Sequence, residues 1–176
     1  MTVTDLSASE YAPFYAGYVD LVPPGITLRT ALDDSAAGLA EYLNEVSEGG
    51  EDYSYAPGKW TIKQTLQHII DSERVFAYRA LRLGRHDATP LPGFEQDDYV
   101  AWADLSRREF RRMITEFEMI RKTTIALYNG FGEEDLKFQG TVSGGTVSGG
   151  PMSCRALGFI ICGHTYHHLK LFRERY

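Results

Sequence analysis

Apolar residues along the chain fall into four long stretches with steps mostly of three, four or seven, spacings at which side chains share one face of an α-helix. The first runs through Leu28, Leu32, Leu39, Tyr42, Leu43 and Val46. Thr27 can cap its start, and the helix is expected to reach about Ser47, before Gly49-Gly50. The second opens on Thr61-Ile62-Lys63-Gln64, the form of a capping box, and should end at Gly84. Phe110, Met113, Phe117, Ile120, Thr124 and Leu127 form the third stripe, closed by Asn129-Gly130. Ser153 caps a last helix that runs nearly to the end of the chain.

The segments between these helices carry the breakers. Residues 1–26 hold Tyr11, Phe14, Tyr15, Tyr18, Leu21 and Val22 before Pro23-Pro24-Gly25, and read as an arm with one short helix packed on the rest. The 84–104 connection, with Pro90, Pro92 and Gly93, is long enough for a crossover. Between Gly140 and Gly150 the sequence Thr-Val-Ser-Gly-Gly occurs twice in succession, too short a repeat for a solenoid. It reads as a turn or hairpin tip near Val142 to Val147. No Gly-Lys-Ser/Thr ending follows, so a phosphate-cradling role is disfavoured. Four long helical patterns without an alternating strand predict an all-α bundle, one domain over residues 1–176.

Composition narrows the function classes. With 43% hydrophobic and 12% aromatic residues the chain can bury a real core. The net charge of −6 leaves no basic face for nucleic acid, because Arg107, Arg108, Arg111 and Arg112 are interspersed with Glu109, Glu116 and Glu118. No apolar run approaches the length of a membrane span, and Met1 to Glu10 lacks the basic and apolar regions of a secretion signal. Cys154 and Cys162, about 12 Å apart along one helix, are too distant to bridge. A soluble, cytoplasmic protein with reduced thiols is the expectation.

Histidine placement is where chemistry enters. His164 and His168 lie one turn apart on the last helix, in line with Leu157, Ile160, Ile161 and Leu171, so both imidazoles face the buried stripe and can reach one point. Buried imidazoles need partners, which a metal ion or core hydrogen bonds can supply. His167 falls at the edge of that face. His68, on the second helix, sits just outside the apolar arc, and reads either as a boundary histidine or as a third ligand. His86, in a charged loop, is expected to face solvent. Glu73 falls in the middle of the second helix's apolar arc and must be paired or protonated: it either bridges helices or supports the site.

The run from Trp60 through His68, Asp71 and Glu73 to Arg74, with Leu157 through Gly163, His164, His167 and His168, resembles the DinB superfamily. The likeness extends through Arg79-Ala-Leu-Arg and from Pro90 to Tyr99. It implies an up-and-down four-helix bundle in which His68, His164 and His168 ligate one divalent ion, nickel or zinc foremost, with iron, cobalt or copper also suited to such ligands. Together with the aromatic arm it also implies a homodimer. The Thr-Val-Ser-Gly-Gly duplication has no counterpart in that pattern.

Three imidazoles leave positions open on an ion, as catalysis requires. The implied function is a metal-dependent enzyme that activates water or a low-molecular-weight thiol, for hydrolysis or S-transfer to a small-molecule substrate. The alternative is a non-catalytic metal- or small-molecule-binding module, linked to stress. A His-Glu-x-x-His hydrolase is excluded, because Thr165 stands where that motif has its base. Glu73, Asp71 and His167 are the local candidates for a supporting or substrate-contacting group. Cys162 cannot act with His164, since residues two apart on a helix point to opposite sides.

Overall fold

The computed structural model describes residues 1–143 and 149–176, so the middle of the Thr-Val-Ser-Gly-Gly duplication lies outside the described residues. Three 3-10 turns, Val3–Asp5, Ala8–Glu10 and Pro13–Tyr15, lead into α1 (Ala16–Val19). The long helices are α2 (Leu28–Glu45), α3 (Ile62–Leu83), α5 (Phe110–Asn129) and α7 (Cys154–Arg175). Between them come β1 (Leu91–Pro92), α4 (Gln96–Trp102), α6 (Glu133–Lys137), β2 (Gln139–Ser143) and β3 (Gly150–Ser153).

The expected caps form. The Thr27 hydroxyl accepts from the Thr30 amide, and the Ser153 hydroxyl accepts from the Ala156 amide at 3.0 Å. At α3 the Thr61 amide donates to Gln64 Oε1 at 2.9 Å while the Gln64 amide donates to Thr61 Oγ1 at 3.1 Å. α2 stops at Glu45 because Arg111 takes over its last carbonyls, donating to the oxygens of Leu43, Asn44 and Val46. Arg108 and Arg74 both pair with Glu116. Three of these arginines are thus tied into the bundle surface.

Two expectations need correction. The chain is mostly helical but not purely α: β1, β2 and β3 form a small sheet in that order, β1 parallel to β2 and β2 antiparallel to β3. The antiparallel pair is the hairpin anticipated around the duplication, with Gly140 opposite Met152. β1 went unread because two residues have no period, and its Pro92 is tolerated at the sheet edge, where no amide proton is needed. Leu91, Val142 and Met152 turn into the core.

The second correction concerns helix order. α2 packs against α7 and α5, and α3 packs against the same two, so α2 and α3 occupy one diagonal of the bundle and α5 and α7 the other. A sequential up-and-down ring would place α3 beside α2. The crossover expected of 84–104 is not found there, since that stretch joins the neighbours α3 and α5; it is the connection over 46–61 that is long enough to carry the chain across the end of the bundle, which short bundle loops cannot do.

Buried apolar residues separate into two clusters along the bundle axis. One holds Leu32, Phe76, Ile125 and Ile161, the other Leu39, Ile70, Phe117 and Leu169. Between these pairs, each long helix contributes a polar side chain: Ser35, Glu73, Arg121 and Thr165, all buried. Arg121 connects them. Its Nε and Nη2 donate to the two Glu73 oxygens at 2.7 and 2.9 Å, and Nη2 also donates to Thr165 Oγ1 at 2.8 Å. Nη1 donates to the Leu32 carbonyl and to Ser35 Oγ at 2.7 and 2.8 Å, so all five guanidinium protons are used. Burial opposes the Arg121 charge, yet the facing Glu73 carboxylate holds its pKa above the ordinary value.

The arm lies across α7. α1 packs on that helix at Gly163, where a Cβ would overlap the Tyr18 carbonyl. Tyr11 bridges to Met152 on β3. At the arm's other contact, Glu10 accepts from Arg155 Nε and Nη2 at 2.7 and 2.6 Å and from Ser153 Oγ at 2.8 Å.

Candidate metal centre

α3 and α7 are neighbours in the bundle, and this brings the histidines together. His68 Nε2 lies 2.9 Å from His164 Nε2, which lies 3.1 Å from His168 Nε2. One ring nitrogen from each residue falls within 4.8 Å of the other two. His164 and His168 are buried, as the helical count required. His68 is buried too, at 4% exposure, so it is not a boundary histidine. Trp60 covers it, with ring centroids 4.9 Å apart. Tyr176 holds that cover in place, its hydroxyl donating to the Trp60 carbonyl at 2.6 Å.

Aromatic walls complete the surroundings. Tyr18 of the arm meets His164 edge-on at 5.4 Å and His167 at the same distance. Phe76 contacts His164 from α3 at 5.8 Å. Gly163 makes the Tyr18 contact available, since only a residue without a side chain lets the arm's backbone approach α7 this closely.

Burial, then the charge of His167, pushes the His68 pKa down to about 4. Burial and the neighbouring histidines hold His164 and His168 well below the ordinary imidazole value. All three are therefore neutral at neutral pH, the form that binds metal. Neutral imidazoles cannot satisfy one another here. Each Nε2 is either one donor or one acceptor, so three of them pointed at a common centre make one good hydrogen bond and leave a nitrogen unserved. His168 Nδ1 is also buried without a partner, and His68 Nδ1 has only a 3.5 Å contact with Ser72 Oγ. A cation at the centre serves all three nitrogens. Around an ion with bonds of about 2.0–2.1 Å, ligand nitrogens stand roughly 3.0–3.4 Å apart, close to the separations of His164 Nε2 from His68 and His168. The donor set fits a divalent ion.

The other candidate residues divide. His167 is exposed and lines a cleft of about 410 Å³ with Tyr18, Lys59, Trp60, His68, Asp97 and His168. Glu73 bridges helices through Arg121, and its oxygens do not reach the histidines. Asp71 accepts from Gln67 Nε2 at 2.9 Å and faces a separate hollow beside Trp102. His86 is exposed, hydrogen-bonded to Asp135 Oδ1 at 2.8 Å. Burial raises the Cys154 and Cys162 thiols to about 12, which keeps them protonated core groups. A larger hollow of about 670 Å³ lies between α2, α5 and α6 and contains no histidine, so size does not locate the chemistry. Sequence spacing marks none of Tyr18, Trp60 and Phe76 as part of the site, Phe76 reading only as one of the apolar arc of α3. Tyr18 and Trp60 lie outside the helices whose faces could be counted.

A family model described as the DinB superfamily matches residues 31–172. A protein of Oceanobacillus iheyensis named "Putative metal-dependent hydrolase" is 28% identical over 99 residues, which make up 56% of this chain and 56% of that protein. The match thus spans little more than half of the relative's length. Among solved structures, YfiT from Bacillus subtilis superposes with a TM-score of 0.72 at 14% identity, covering 84% of this chain and 82% of YfiT. Its description is "a probable metal-dependent hydrolase with an unusual four-helix bundle topology". That likeness shows the shared fold.

Proposed function

Because this chain belongs to the DinB superfamily, we propose that His68, His164 and His168 hold one divalent metal ion, zinc or nickel, in the active site of a small-molecule hydrolase. The observation that carries this reading is the meeting of three buried, neutral imidazoles from two helices at one point beside an open cleft. The names of the Oceanobacillus and Bacillus relatives support the reaction class.

Lewis acidity is what such an ion supplies, lowering the pKa of a coordinated water toward about 7. The chain's own residues do the rest. Tyr18, Phe76 and Trp60 wall the imidazoles off from bulk solvent and fix their ring planes. The cleft opens beside His68 and His168. His167 and Asp97 line it and are the groups placed to accept a proton there. Thr165, beside His164, is held by Arg121, so the last helix cannot rotate its histidines away.

Elemental analysis of the purified protein, followed by ester and amide hydrolysis before and after chelation, tests the reading. One equivalent of metal and activity that returns on reloading with zinc or nickel are expected. Activity unchanged in chelated, metal-free protein rejects the metal-dependent reading. Bound metal with no turnover, in a panel that also includes low-molecular-weight thiols with electrophiles, favours the non-catalytic module.

A further inference from the structure

Arg79 has no task in the reading above, yet it lies against the same site. It stands on α3, three residues beyond Phe76, and is 2% exposed. Its Nη2 donates to the Pro92 carbonyl at 2.7 Å, while its Nε is buried without a partner. Arg121 shows how this chain satisfies a structural guanidinium, with every proton used and a carboxylate face to face. Among the described residues Arg79 has no such carboxylate. The phenols of Tyr15 and Tyr99 face it, and its guanidinium lies 5.8 and 5.7 Å from the Phe76 and Phe94 rings. Residues 144–148 are glycine, threonine, valine and serine, and bring no acid. Burying a cation without an anion is expensive unless a ligand supplies the anion.

Position says which ligand. The Phe76 ring is a wall shared by His164 and Arg79, each 5.8 Å away from it. A small cavity of about 30 Å³ touches Arg79, Phe94, Ser72 and His164, and an outer hollow of about 320 Å³ continues past Arg79 and Phe94. A guanidinium matches the planar fork of a carboxylate. A phosphate would need more donors than this apolar-walled space offers.

We propose that Arg79 is the substrate-binding residue of the histidine site, selecting small molecules with a carboxylate that it holds against the Phe76 and Phe94 rings while the reacting group reaches His164. The identity of the reaction rests on the hydrolase reading; the carboxylate preference does not require the metal.

Calorimetric titration of acetate, butyrate and 3-phenylpropionate, each against its uncharged amide, tests this on metal-loaded and chelator-stripped protein. At least one acid is expected to bind tenfold or more tightly than its amide in both forms. Arg79→Met should abolish the difference with metal content unchanged, and Arg79→Lys should keep part of it, which a merely structural arginine would not show. If no acid outbinds its amide in wild-type protein, the proposal falls without any variant. It falls equally if Arg79→Met retains the preference, or if the preference appears only with metal present, because the acid is then on the ion. A preference in protein that takes up no metal upholds Arg79 and removes the metal reading alone.

Discussion

Single residues carry the most direct expectations. If three imidazoles act as one ligand set, His68→Ala, His164→Ala and His168→Ala each lose most of the bound metal, and a second replacement adds little. His167→Ala keeps it. Metal stoichiometry of the four variants measured side by side decides the matter, and retention by His68→Ala with loss by His167→Ala would reverse the assignment. Protonation gives a second expectation, for the metal-free protein. The folded pKa of His68 is about 4, and those of His164 and His168 are also lowered, whereas unfolded imidazoles titrate near 6.5. Below about pH 6.5 the unfolded chain therefore binds protons the folded chain refuses, and stability falls as pH drops from 6.5 toward 4. Urea midpoints across that range should decline with acidity; a flat profile would mean the histidines are not buried in neutral form. The pairing of His164 with His168 was legible in their spacing. The burial of His68 was not, because its cover comes from Trp60 and Tyr176, which lie off the helix on which its face was counted. Glu73 was readable as a paired carboxylate. Its partner could have been found as well, since Arg121 stands four residues beyond Phe117 and three before Thr124, on the buried stripe of α5.

Among elements, the arm and α7 are the pair whose fit matters to the site. A methyl group at Gly163 meets the Tyr18 carbonyl, so Gly163→Ala must push α1 outward and lift Tyr18 from His164. Overpacking of this kind typically costs about 1–3 kcal/mol. The expected result is a lowered Tm with faster amide exchange over residues 11–22 and little change in α3 or α5. Unchanged exchange in the arm would mean that it is not seated on α7. The long helices and their caps were legible because period and capping chemistry are local. The sheet was only half legible: the β2 and β3 hairpin follows the Gly-rich duplication, while β1 depends on a long-range parallel pairing with Val142 that no short pattern announces.

In the whole molecule, the layer of Ser35, Glu73, Arg121 and Thr165 joins all four long helices through one guanidinium. Removing one partner of a buried pair strands the other, so Arg121→Met and Glu73→Leu should each destabilise the protein by about 3–5 kcal/mol. The double variant should recover much of that loss, as chemical denaturation of the three proteins will show; additive losses would exclude direct coupling. The bundle was legible from four amphipathic stretches, but its order was not, because apolar stripes say that helices pack and not which helix lies beside which. That order bears on how the protein emerges from the ribosome. α2 and α3 are made one after the other, yet each needs α5 and α7 for its walls. No early hairpin of the first two helices is available as a folding seed. A nascent chain ending near residue 109 must hold two greasy faces apart until later helices arrive. His68 likewise waits through the synthesis of 96 further residues before His164 exists. Vectorial synthesis therefore keeps His68 and His164 apart until α7 has been made, and α3 is a natural stretch for a chaperone to shield in the meantime.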